Sequence, residues 1–143
     1  MADAMKNLGA DVTVDVFVDD VKLNKDFKNK IKWDVAHEYY EGVDEHLGPN
    51  PVDPWQRYKI SSFSFTFEEE NASRVAGIIQ GIDDAMTAGV KPKIVIVETT
   101  NNTDGTVSKS TYSRCTLQFK KNVPAKGEKV TYDVTGKGQK NLK

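Results

Sequence analysis

The sequence has few of the residues from which disulfide frameworks and metal sites are built. Among its 143 residues there are one cysteine and two histidines. One cysteine excludes an intramolecular disulfide framework, and two histidines leave little material for a zinc site. No apolar run approaches the roughly 18 residues that a membrane-spanning helix needs. Residues 1–10 also lack the apolar core of a signal peptide, so we expect a soluble protein made in a cytoplasm, without membrane insertion.

The sequence also has almost no net charge, because 20 Lys and Arg residues balance 21 Asp and Glu residues. This balance excludes a generally basic nucleic-acid binder. The charges are nevertheless segregated along the chain. Residues 1–70 carry 15 acids and 8 bases, whereas residues 106–143 carry 2 acids and 9 bases. The two regions either lie against each other within one fold or sit on opposite faces, so that copies associate head to tail.

The residue types that carry catalysis do not converge in this sequence. His37 and Glu38 are neighbours on a predicted strand, where consecutive side chains point to opposite faces, so they cannot hold one metal ion together. His46 falls in a segment without periodicity. Cys115 falls on an apolar strand face, where a cysteine is typically a small core residue. We therefore predict a non-enzymatic protein that uses no metal and no cofactor.

Apolar and polar residues alternate with a period of two along much of the chain, which is typical of half-buried strands. Valines occupy every second position over residues 12–18, and Asp19-Asp20 then favours a turn into a hairpin return over residues 21–24. The same reasoning predicts further strands over residues 30–40, 58–67, 93–99, 106–120 and 128–134.

Two of these strands have patterns that predict how they sit in the sheet. The run I-V-I-V within residues 93–99 is apolar on both faces, as in a central strand covered on each side. In the strand over residues 106–120, strict alternation places one set of side chains inward and the next outward. The inward set is Cys115, Leu117 and Phe119, and the outward set includes Tyr112 and Arg114.

Residues 68–89 predict the one helix. Its apolar residues recur at helical spacing, and Asn71 is a suitable N-cap. Gly89 suits the position just after a helix, and Pro92 prevents its continuation. With the strands, this helix predicts a mainly β domain of the α+β class. We expect a β-sandwich or open barrel of about six or seven strands with one flanking helix.

Residues 41–57 break the alternation with glycines and prolines, and we expect a projecting loop that contacts a partner. Its candidate contact residues are Glu41, Gly42, Asp44, Glu45, Gly48, Pro49, Asp53, Trp55 and Arg57. The N-terminal hairpin is a second candidate interface, through Asp15, Phe17, Asp19, Asp20 and Lys22. Residues 1–143 are expected to form one domain, with residues 1–10 and 136–143 flexible or ordered by a partner.

The order of these elements resembles the tail tube proteins of bacteriophages, especially those of contractile tails and of phage-tail-like particles. The resemblance covers roughly residues 10–135 and is one of pattern. It is carried by K-I-K-W-D-V-A-H-E-Y-Y-E-G at residues 30–42, S-S-F-S-F-T-F-E at 61–68, P-K-I-V-I-V-E-T-T at 92–100 and S-T-Y-S-R-C-T-L-Q-F at 110–119.

This resemblance implies a structural protein that assembles into stacked hexameric rings around a channel for phage DNA. It implies further contacts with the tail sheath, baseplate and tail terminator proteins, and a place in the virion after assembly in the host cytoplasm. The same fold would serve the tubes of secretion systems and tail-like injection systems. Free passage of DNA requires that Arg114 and the lysines of its strand face away from the lumen or are balanced by acids such as Asp15 and Asp34.

A competing hypothesis is a monomeric ligand-binding β-barrel or sandwich. In that case the aromatic residues would line a cavity, as in many small-molecule sites. The candidates are Trp33, Tyr39, Phe63 and Phe65. A solitary binding domain would be a monomer with short, protected edges, whereas a tube protein would form oligomers.

Overall fold

The computed structural model describes residues 12–24, 31–45, 47–49 and 52–141. Within these residues seven strands and one helix follow one another along the chain. In order they are β1 (Val12–Val18), β2 (Val21–Lys22), β3 (Lys32–Glu45), β4 (Val52–Glu68), α1 (Ala72–Thr87), β5 (Ile94–Asn101), β6 (Val107–Asn122) and β7 (Thr131–Lys140). The predicted mainly β, α+β class with one flanking helix is confirmed.

All seven strands belong to one antiparallel sheet with the order β2-β1-β5-β6-β7-β4-β3. The sheet is open, because neither β2 nor β3 pairs with a second described strand on its outer side. Within the described chain, no helix is long and apolar enough to cross a membrane.

The core lies on one face of this sheet. Alternate residues of β1 and β4, such as Val14, Val16 and Phe65, are almost fully buried. The Trp33 ring on β3 stacks on Phe63 at 5.5 Å and lies 6.2 Å from the ring of Tyr112 on β6. Because β6 and β3 are separated by two strands, this contact requires the sheet to curl around its apolar face. We call this face the core face and the opposite one the polar face.

Helix α1 covers part of the core face. Asn71 caps its start, because the side chain of Asn71 accepts a hydrogen bond from the backbone N–H of Arg74 at 3.1 Å. Val75 and Ile82 are buried against the sheet. The helix is shorter at its start than the predicted range, since Glu68 still belongs to β4.

The predicted outward orientation of Tyr112 is wrong. Tyr112 is 2% exposed and belongs to the core, together with Cys115 and Leu117. The pairing of β6 with β7 shifts between Ser113 and Thr116, and Arg114 has a left-handed backbone with φ of 54°. A β-bulge adds one residue and resets the alternation, so residues on either side of it no longer follow one period.

The prediction of a loop over residues 41–57 is also wrong in its secondary structure. Strand β3 continues to Glu45 and β4 begins at Val52, so most of this segment is a paired hairpin. Pro54 is tolerated because β4 pairs with β7 only from Ser61 onward, which leaves the other side of β4 open at Pro54. Gly42 allows the Trp55 ring to lie across the backbone, where a Cβ atom would overlap the ring.

Residues 136–140 belong to β7, which corrects the expectation of a flexible tail there. Gly136 and Gly138 sit under the Phe63 ring, and the carbonyl oxygen of Thr116 occupies the space that a Cβ on Gly136 would need. These glycines therefore serve close packing of β6, β7 and β4. Residues 1–10, His46 and residues 142–143, also part of the predictions above, lie outside the described residues.

Candidate assembly surfaces

The most extended surface is the far part of the β3–β4 hairpin. Residues 39–45 and 52–58 pair with each other beyond the point where β7 pairs with β4, and we call these two stretches the arm. Seven residues at about 3.3 Å each give the arm a length of roughly 23 Å. The arm contains seven of the nine predicted loop residues, and Gly48 and Pro49 lie exposed in the turn between its strands.

The arm carries large apolar side chains that are open to solvent. Their exposed fractions run from 40% for Trp55 to 55% for Val43, with Tyr39, Tyr40 and Val52 in between. A two-stranded hairpin is marginally stable in water by itself, and contiguous exposed apolar surface is typical of interaction sites. The composition of the arm therefore favours a docking element.

Positively charged side chains lie near the base of the arm, and acidic side chains lie near its tip. Near its base, the Arg57 guanidinium lies 5.6 Å and the Lys59 ammonium 5.4 Å from the centre of the Tyr40 ring. Near its tip, Asp44 and Glu45 are exposed. The tip is thus acidic, whereas the cations stay close to the sheet.

The base of the arm is fastened to β7 by a polar cluster that the sequence did not reveal. Ser61 is fully buried, and its Oγ lies 2.6 Å from Nδ1 of His37 and 2.8 Å from the hydroxyl of Tyr58. The Tyr58 hydroxyl also accepts a hydrogen bond from the backbone N–H of Lys140 at 2.9 Å. Ser61 and His37 face each other in the β3–β4 register, a long-range pairing that the alternation pattern does not specify.

The N-terminal hairpin is held by contacts within its own chain. Lys22 pairs with Asp15 at 3.0 Å, and Lys93 pairs with Asp20 at 3.2 Å. Asp19 and Asp20 adopt left-handed turn conformations with φ of 49° and 68°. Phe17 on β1 is half-buried on the polar face. This hairpin is at the opposite side of the sheet order from β3, so the structure does not bring the two predicted interfaces together.

Both sides of the sheet end in open backbone. Strand β2 pairs with β1 at Phe17 and Val18, and the backbone N–H of Leu23 donates a hydrogen bond to the backbone oxygen of Val16 at 2.8 Å. Residues 12–15 of β1 therefore have no backbone partner on that side among the described residues. On the other side, β3 is 14 residues long and pairs only with β4 in the described part of the chain. Such edges are templates for pairing with another chain.

The polar face carries mixed, paired charges. Lys137 lies 3.5 Å from Glu38, and the Ser62 hydroxyl donates a hydrogen bond to the same carboxylate. The hydrogen bond from Ser62, with a smaller effect from Lys137, lowers the pKa of Glu38 below its ordinary value. Asp15 pairs with Lys22 on this face, and Asp34 is exposed there. The polar face therefore carries polar side chains, and its positive and negative charges nearly cancel.

The described residues contain no cluster of three or more potential metal ligands. Cys115 is buried, and burial raises the pKa of its thiol to about 11, which makes it a poor nucleophile at neutral pH.

Trp33, Phe63 and Phe65 pack on one another in the core, whereas Tyr39 lies on the arm. These four aromatic residues do not line one cavity, as the ligand-binding hypothesis expected them to do.

The sequence matches no known family model and no curated protein. The fold is similar to that of a chain in the cryo-EM structure of the anti-feeding prophage baseplate, which was symmetrised six-fold. That chain has a TM-score of 0.52 and 11% sequence identity, over 95% of this chain and 94% of the other. A chain of the sheath-tube complex of an extracellular contractile injection system, PVC, in the extended state gives a TM-score of 0.49 and 13% identity, over 88% and 84% of the two chains. The protein therefore shares its fold with a chain of the anti-feeding prophage baseplate.

Proposed function

We propose that this chain is a structural subunit that assembles into rings, and that the rings stack into the tube of a contractile, tail-like injection particle. The observation that carries the proposal is a sheet that, within the described residues, is open at two edges and carries a projecting arm. The fold likeness to a chain of a six-fold symmetrised baseplate supports it. In this role the chain is not an enzyme, and its partners are further copies together with sheath, baseplate and terminator proteins of the particle.

The open edges of the sheet at β3 and at β1 offer a way for copies to join into a ring. In the proposal, β3 of one copy pairs with residues 12–15 of β1 in the next copy, so that the sheets join into one barrel. A heterologous contact of this kind closes into a ring when its rotation matches the number of subunits, and six copies fit the symmetry of the similar particle. Closure also removes edges that would promote aggregation of a monomer.

The polar face lines the lumen in this arrangement. A large barrel has a polar, water-filled interior, whereas its apolar face is covered. The ion pairs Lys137–Glu38 and Lys22–Asp15 leave little net positive charge on this face. A cargo therefore passes without specific binding, whether it is protein in an injection particle or DNA in a phage tail.

Negative-stain electron microscopy combined with light scattering tests the proposal on the purified chain. We expect rings or hollow tubes of uniform width, with a scattering mass well above the 15.9 kDa of one chain. A monomer that persists over a wide range of protein and salt concentrations, also with purified baseplate added as an initiator, would contradict the proposal.

Shortening the arm is expected to abolish stacking while rings persist. Gly42 and Trp55 face each other in register, so residues 43–54 can be replaced by Asn-Gly, which forms a tight hairpin turn between them. The described residues among those removed (43–45, 47–49 and 52–54) are exposed, so the melting temperature followed by circular dichroism should change little. Micrographs should show single rings in place of tubes. Tubes of normal length would contradict the role of the arm in stacking.

A further inference from the structure

A second apolar surface lies between the C-terminal end of α1 and strands β5 and β6. It is a groove of about 340 Å³ whose lining includes Ile82, Met86, Val90, Pro92, Cys115 and Leu117. Met86 and Val90 are 56% and 59% exposed, so the groove is open to an approaching partner. Its volume is at the lower end of the range of about 300–1,000 Å³ for ligand pockets, which suits one or two large side chains.

The groove and the arm lie at opposite ends of the sheet. Strands β3 and β5 run in the same direction, because an even number of antiparallel steps separates them in the strand order. Strand β3 runs toward the tip of the arm, whereas β5 starts with Ile94, which lines the groove. Copies aligned along the strand direction would therefore present the arm of one copy to the groove of the next.

The two surfaces also match in charge. Lys91 lines the groove, and its ammonium group donates a hydrogen bond to the backbone oxygen of Arg114 at 3.2 Å, which places the backbone of the exposed residue Arg114 next to the groove. Neither cation forms an ion pair with a carboxylate of the described residues. The tip of the arm presents Asp44 and Glu45. Opposite charges across an interface guide encounter and fix the register.

We propose that the groove is the receptor for the arm of a second copy. Val43, Glu45 and Val52 share one face of the arm, because residues at alternate positions and residues paired in register point the same way. In the proposal Val43 and Val52 enter the groove, and Glu45 faces Lys91. The inference rests on the proposed function, because it names the surface through which stacked copies meet. The arm and the groove are different surfaces of one chain, so the contact is heterologous and continues without closing, as a growing stack requires.

Site-directed cross-linking tests the contact in the full chain. In a Cys115→Ala background, which removes the native thiol from the groove, the chain carries Val43→Cys on the arm and Val90→Cys at the groove. A short bismaleimide linker should then give a ladder of dimers and longer oligomers on a denaturing gel. The matched control replaces Val90→Cys with Val107→Cys, because Val107 is also an exposed valine, at 62%, but lies at the start of β6.

Electron microscopy of the same samples separates the two proposals. A ladder that appears with Val90→Cys and not with Val107→Cys supports docking in the groove. Tubes without a ladder, or equal ladders from both pairs, would overturn the groove assignment and leave the proposed function standing. Samples of the cysteine variants and of the unmodified chain that form neither tubes nor ladders would overturn both.

Charge reversal distinguishes a lost charge pair from a damaged groove, because only a lost charge pair can be restored by a second reversal on the arm. Adding Lys91→Glu to the cross-linking pair should reduce the ladder, because the groove then repels the acidic tip. Adding Glu45→Lys to the same chain should restore it. A ladder that stays lost in the restored variant would show that these charges do not face each other.

Discussion

Replacing Phe65 with alanine is expected to lower the free energy of unfolding by about 3–5 kcal/mol, the usual cost of removing a buried phenyl ring. Phe65 is 1% exposed and lies in the middle of β4, opposite Trp33 on β3 and Val134 on β7. Its ring is 6.1 Å from the rings of both Trp33 and Phe67. Strands on both sides hold these neighbours in place, so the cavity cannot collapse easily. Urea denaturation of the monomeric form at 25 °C measures the loss.

The matched control for this substitution is Tyr40→Ala on the arm. Tyr40 is 49% exposed and its ring contacts Arg57 and Lys59 rather than the core. Surface substitutions of this kind usually change stability by no more than about 0.5 kcal/mol. Similar losses for Phe65→Ala and Tyr40→Ala would mean that the arm is part of the core, which would contradict its assignment as a free docking element.

Replacing Gly136 with alanine is expected to destabilise the protein by about 3 kcal/mol, at the upper end of the range for overpacked sites. A Cβ at Gly136 would overlap the carbonyl oxygen of Thr116, which is backbone and cannot rotate away. The pairing of Leu117 with Gly136 would have to open to make room. The measurement is again urea denaturation, with the far-ultraviolet circular dichroism spectrum as a check on the fold.

Substitutions at two further glycines serve as controls for Gly136→Ala. Gly77 is exposed on α1 and a Cβ there meets nothing within 4 Å, so Gly77→Ala should raise stability by about 1 kcal/mol through helix propensity. At Gly138 a Cβ would lie 2.5 Å from the sulfur of Cys115, a side-chain atom. Adding Cys115→Ala should therefore relieve Gly138→Ala but not Gly136→Ala. Equal relief of both substitutions would contradict the backbone clash at Gly136.

The strands and the helix with locally regular patterns were predictable from the sequence. The alternating valines predicted a strand over residues 11–18, and β1 spans Val12–Val18, because alternation is strict there and one face is buried. Asn71 was identified as the N-cap because its side chain satisfies a backbone N–H at the first turn, which is a purely local contact.

The features that depend on distant contacts were not predictable. The bulge at Arg114 resets the alternation of β6, and no local residue pattern marks it. Gly136 and Gly138 are typical of a frayed end in sequence, yet they are fixed by the approach of Phe63 and of strand β6. Pro54 suggested a loop because the sequence does not show that β4 has an open side at that position.

The two candidate assembly surfaces also differ in whether the sequence could predict them. The sequence singled out residues 41–57, which include most of the arm, because glycines and prolines interrupt the alternation there. It did not indicate the groove, whose residues come from α1, β5 and β6 and meet only in the folded chain. Lys91 and Arg114 acquire their common location through the same long-range packing. The contacts of both surfaces with other copies stay predictions.

The pairing of β1 with β5 has a consequence for the order of events during synthesis. Val12 pairs with Thr100, so β1 waits until β2, β3, β4 and α1 have been made before its longer partner β5 exists. At about 5–20 residues per second this delay is on the order of ten seconds. Throughout that time a valine-rich strand is exposed next to other nascent chains. Asp15, Asp19 and Asp20 then act as gatekeepers, since charges within and beside such a segment oppose aggregation before the fold can protect it.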